Sequence, residues 1–137
     1  MASIRDAVAQ IQENVDAVSG MRAAPTDPPE SIRYFPFAVS YLEGGTWEVG
    51  PAGIKTGLHT IVCEVHVARK NDLAREVKKA MDYSDNIPND LLDDITLGGT
   101  VETIVEMRYD FGPMGWGGVD TVGFRFYITV KMQSAIT

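Results

Sequence analysis

The residue types that could do chemistry gather in one short run of the chain, where His59, Cys63, Glu64 and His66 stand close together. A thiol beside an imidazole can be a nucleophile pair or two ligands of a zinc ion, and an imidazole beside a carboxylate can move protons. The residues around them alternate: Ile61, Cys63, Val65 and Val67 are apolar, while Thr60, Glu64 and His66 are polar. That alternation predicts a strand over 58–68 with one dry and one wet face. Cys63 and His66 are an odd number of residues apart, so they point to opposite faces and share neither a proton nor a metal. His59 and Cys63 share a face, but four residues of strand hold their backbones about 13 Å apart. Only Glu64 with His66 survives as a juxtaposition, and it reads either as an acid-base pair or as a solvated polar face. Cys63 reads as a small buried hydrophobe.

Other motifs carry less. The glycines of 112–118 have no lysine followed by Ser or Thr and open no helix, so this segment is expected to be a turn rather than a phosphate loop. Asn89-Asp90-Leu91-Leu92-Asp93-Asp94 lacks the alternating oxygen ligands and central glycine of a calcium loop and reads as a solvated helix end. No catalytic set, cofactor site or metal site is expected from the residues, and the chain is read as a binding and assembly protein rather than an enzyme. With 19 acidic and 12 basic residues, and no basic run longer than pairs such as Arg69-Lys70, it lacks the footprint needed to grip nucleic acid. One cysteine allows no internal disulfide and fits a reducing cytoplasm. No apolar run reaches the length of a membrane span, and the first residues lack a signal-peptide pattern.

The elements that must position these residues follow from periodicity. The 137 residues are the size of one domain. Ile4, Val8, Ile11, Val15 and Val18 fall on one stripe of an N-terminal helix within 1–20, with Ser3 and Asp6 as a capping box and Gly20 as its stop. Residues 21–34 are proline-rich and predict an extended linker. The body, 35–137, begins with strands at 35–42 and 46–49 and continues through the strand at 58–68. Asn71-Asp72 opens a second helix with Leu73, Val77, Ala80 and Met81 on its apolar side, and Ile87-Pro88 starts a separate further turn. Two long alternating strands close the chain, near 101–111 and 122–132. The expected fold is α+β, a mainly antiparallel sheet of four to five strands with two main helices on one face.

The helix stripe Ile4, Val8, Ile11 and Val15, on its proline tether, could reach a neighbour or lie on its own body. Met114 and Trp116, near the turn of the last hairpin, either contact a partner or fold back on the sheet. Glu102, Glu106 and Asp110 are even numbers apart and are expected on one strand face, which could line an acidic channel or simply face solvent.

The order of phrases has a further meaning. A short N-terminal helix, Tyr-Phe-Pro-Phe leading into the first strand, His-Val-Ala-Arg ending the long strand, a helix, an Ile-Pro step, Leu-Gly-Gly-Thr-Val, and a closing hairpin with Thr-Val-Gly-Phe-Arg-Phe-Tyr-Ile-Thr-Val-Lys follow one another over nearly the whole chain. This arrangement resembles the tail terminator and tail-completion proteins of siphophages, with head-tail connector or head-completion proteins of similar length the nearest alternative. The resemblance implies a virion structural protein assembled in the bacterial cytoplasm. It would form a homo-hexameric ring on the tail tube protein at the head-proximal end, stop tube growth and offer a head-joining surface to the connector protein. DNA would pass through without specific binding. A small α+β enzyme or ligand-binding domain, or a regulator that binds a host protein, are the rival readings from other classes.

Overall fold

Ser3 accepts from the Asp6 N–H at 3.2 Å while the Asp6 carboxylate accepts from the Ser3 N–H at 2.9 Å, closing the expected capping box at the start of α1, Ile4–Asp16. The computed structural model describes residues 2–25, 29–30, 32 and 34–136, and the side chains of these apart from 72–77 and 79. The helix is shorter than its apolar stripe: it ends at Asp16 with Ala17 as C-cap, and Val18 is buried from the turn that follows, ahead of Gly20.

Among the described residues five strands form one antiparallel sheet. β1 (Phe37–Gly45), β2 (Glu48–Val49), β3 (Ile54–Arg69), β4 (Thr103–Trp116) and β5 (Val119–Ala135) lie in the order β1-β3-β5-β4, with β2 also paired to β3. The chain is therefore α+β, with its helices against the sheet. β3 and β5 run side by side from Ile54↔Ala135 to Arg69↔Thr121. The close approach near the end of β3, where His66 pairs with Gly123, needs that glycine: a Cβ there would lie 1.9 Å from the Val65 carbonyl oxygen. The segment expected as a glycine-rich loop is mostly strand. β4 continues to Trp116, and only Gly117-Gly118 turn, both at positive φ (58° and 81°), the geometry of a two-residue hairpin connection.

The second helix, α2, spans Leu73–Asp93 without interruption, and Pro88 lies inside it. The expected break does not occur. Ala80, Tyr83, Ile87 and Leu91 form one buried stripe through the proline, and that burial offsets a helix-interior proline cost of about 3 kcal/mol. Leu73 and Val77, expected on the same stripe, have side chains outside the described residues, while Met81 is exposed. Both helices cover the sheet face built from Ala38, Ile61, Cys63, Val65, Phe124, Phe126, Ile128 and Val130.

The opposite face is not uniformly wet. A second apolar cluster of Ile32, Phe37 and Val39 sits there, with Ala23, Phe35 and Trp116 against it. The described residues of the proline-rich segment are thus packed on the body rather than free, and Ala23 and Ile32 strap this face. Ala23 bridges Phe37 in parallel, the Ala38 N–H donates to the Ala23 carbonyl at 2.8 Å, and Ile32 is buried.

Candidate functional site

Under that strap the register places Phe37 opposite His66 and Val39 opposite Glu64, and on the other side His66 opposite Gly123 and Glu64 opposite Arg125. Because Gly123 has no side chain, the imidazole of His66 is free to lie across β5 and reach Thr121. Its Nδ1 is 2.5 Å from Thr121 Oγ1 and its Nε2 is 3.0 Å from Glu64 Oε1. The other carboxylate oxygen of Glu64 accepts from the Tyr41 hydroxyl and, at 3.5 Å, from Arg125 Nε. An ionised carboxylate only accepts, so Nε2 is the donor toward Glu64, and in the neutral ring the Thr121 hydroxyl donates to Nδ1.

Burial raises the carboxyl of Glu64, but hydrogen bonds from His66 and Tyr41 and the neighbouring Arg125 guanidinium outweigh it and hold the group below the usual carboxylate range. Burial, with Glu64 as hydrogen-bond partner and neighbouring charge, holds the Tyr41 phenol above its ordinary value.

Hydroxyl, imidazole and carboxylate in this order are the parts of a nucleophilic triad, in which the hydroxyl must touch the substrate. Thr121 and His66 are both fully buried here, and the His66 ring lies between Phe37 (6.3 Å between centroids) and Trp116 (6.5 Å). The arrangement ties β1, β3 and β5 together as a satisfied polar network. The expectation of a solvated face at Glu64 and His66 is corrected accordingly. The two residues do meet, as their spacing allowed, but they are dry because Trp116 and the strap cover them. Tyr41, Thr121 and Arg125 were missed, since they lie 23 to 61 positions from their partners and strand register over such separations is not written in local spacing.

The other candidates fall elsewhere. Cys63 lies in the helix-side core, and burial pushes its thiol up to about 12. His59 packs on Trp47 at 4.2 Å between centroids; burial, and then Lys55, lower its basicity. In the acidic run, Asp94 accepts from the Gly98 N–H and from Asn14 Nδ2, closing the end of α2 against α1. Asp90 lies in an open groove with Val18, Asn86 and Asp93, its carboxyl raised by burial and then by Asp93 and Asp94. Among the described residues no three His, Cys, Asp or Glu side chains are placed to hold a metal ion, and no helix is long and apolar enough to cross a membrane.

The interface candidates are largely spent inside the chain. Ile11 and Val15 are fully buried, and Ile4 and Val8 pack half-buried on the same core. The neighbouring Gln12 donates to the Pro25 and Ala38 carbonyls and accepts from Ser40 Oγ, fastening the strap and β1 to α1. Met114 is buried, and Trp116 is half-buried with its indole bonded to Pro29. Of the acidic trio, only Glu106 and Asp110 share a strand face. A β-bulge between Ile104 and Glu106 shifts the alternation, and Glu102 precedes β4 and pairs with Lys131 at 3.6 Å. Arg108, lying over the Tyr127 ring at 3.8 Å, and Arg125 are interleaved with the two acids on that face. Comparison of the sequence with protein-family models and with curated proteins gives no match.

Proposed function

We propose that this protein is a structural component of a phage tail, a terminator that caps the tail tube as a ring of six and presents the surface on which the head is joined. The sequence resemblance motivates the reading, and the phrases that carry it are joints of the fold. Phe-Pro-Phe leads into β1, His-Val-Ala-Arg ends β3, Ile-Pro lies within α2, and the last phrase is β5.

The observation that supports it best is the distribution of apolar surface. The groups that could do chemistry are turned inward, while large apolar side chains are left exposed in separate places. Val49, Leu58 and Ile136 lie where β3 begins and β5 ends. Met81 and Leu92 lie on one side of α2, three turns apart, with Ile95 just beyond. A ring built head to tail needs two different patches on each subunit, and exposed apolar patches mark association surfaces.

The test is electron microscopy of tails assembled with and without the protein, together with native mass measurement of the complex on tails. Overlong or headless tails in its absence and a six-copy ring in its presence are expected. Tails of normal length with full head attachment in its absence would overturn the assignment.

A further inference from the structure

Among the described residues β4 is the outermost strand of the sheet, and its unpaired edge has defined limits. Upstream, the Ile104 N–H is already bonded to the Ile95 carbonyl at 2.9 Å, and the bulge follows between Ile104 and Glu106. Downstream, Pro113 stands in register opposite Val122. Proline has no N–H, so its nitrogen faces away from β5, as it must in a sheet. By alternation Met107, Tyr109 and Phe111 also turn their N–H and C=O groups outward. Their side chains point to the helix side, where Tyr109 and Phe111 rest on Phe126 (5.7 Å) and Phe124 (4.8 Å) yet stay 50% and 42% exposed. Glu106, Arg108 and Asp110 project from the other face, and all three are exposed.

We propose that this edge pairs antiparallel with β4 of a second copy, about a two-fold axis at Tyr109. That axis sets Tyr109 opposite itself and Met107 opposite Phe111 of the second copy, all at positions whose backbone groups point outward, so these pairs exchange hydrogen bonds. It also sets Arg108 opposite Asp110 of the second copy, twice by symmetry, at the non-hydrogen-bonded positions where side chains approach most closely. The bulge at one end meets Pro113 at the other, so the pairing stops where both strands lose their regular edge. Other axes are worse. Centring on Arg108 or on Asp110 puts like charges face to face, centring on Met107 runs the pairing into the bulge, and centring on Phe111 places Tyr109 against Pro113. A two-fold contact closes on two copies, so this dimer is independent of a six-membered ring, whose contact must be head to tail.

The experiment is native mass spectrometry and light scattering of the purified chain from micromolar to millimolar concentration, with two charge variants. Arg108→Asp leaves only acids at both positions, and Asp110→Arg leaves only arginines, so each alone should dimerise about 10- to 100-fold more weakly than the wild type. Mixed in equal amounts, the R108D and D110R chains meet with opposite charges at both pairs and should form a heterodimer. As a readout independent of charge, Tyr109→Cys places a thiol on the axis, where the strand separation suits a disulfide, and should give a covalent dimer on mild oxidation. A wild-type chain that stays monomeric at millimolar concentration would overturn the proposal. So would an oligomer of any size that both charge variants leave unchanged, or a Y109C chain that does not cross-link.

Discussion

Trp116 donates its indole N–H to the carbonyl of Pro29 at 2.8 Å, joining residues 87 positions apart. The bond closes the strap over the Glu64–His66–Thr121 network from the hairpin side. Trp116→Phe keeps most of the ring and loses the donor, which should cost about 1 kcal/mol of unfolding free energy. Trp116→Ser also removes the cover over His66 and should cost about 2–4 kcal/mol. Urea unfolding of both variants checks this, and equal midpoints for wild type and W116S would show that the indole does not pack on its own sheet.

The Glu64 carboxyl gives stability a definite pH dependence. Its folded-state pKa lies below the unfolded value, so its stabilisation is present above the unfolded carboxylate range near pH 4.3 and is lost as pH falls through the lower, folded value. Glu64→Gln removes the charge and leaves an amide among the same partners, and should cost about 1–3 kcal/mol at pH 7. The gap between wild type and E64Q should then narrow steadily below about pH 4. Thermal melts of both proteins from pH 2.5 to about 4.5, the range in which a carboxyl titrates, read the Glu64 contribution. A gap independent of pH would place that contribution in packing instead.

Local periodicity carried the capping box at Ser3 and Asp6, the long strands and the α+β class, because each depends on residues only a few positions apart. Alternation along β3 also separates Cys63 from His66 as expected, one in the helix-side core and the other under Trp116. What covers each face is not set by alternation. Ile32 is one apolar residue in a polar, proline-rich segment, and nothing near it says that it will be buried against Phe37 and Val39. The same long-range effect dried the Glu64–His66 face and removed Trp116 from the free surface. Parity failed ahead of the bulge in β4, at Glu102 and at Ile104, which is buried in the helix-side core, because a single bulge residue, invisible in the alternating pattern, reverses the faces. Pro88 shows the opposite error, a strong local signal overridden by the buried stripe on either side of it.

The single thiol reports on the helix-side core. Cys63 is fully buried between Ile61 and Val65 on the face that α1 and α2 cover, and burial lifts its pKa to about 12. The attacking species in thiol exchange is the thiolate, which at pH 8 is then a minute fraction, and no reagent reaches it without an opening of the sheet from its helices. Labelling of the native protein by an aromatic disulfide at pH 8 should therefore proceed only through unfolding. Its rate should rise with urea in step with the unfolded fraction and be accelerated by W116S by the factor by which that variant raises the unfolded fraction. Rapid labelling of the native wild type, independent of urea, would mean that the helices leave this face far more readily than the buried Ile11, Val15, Ile87 and Leu91 imply.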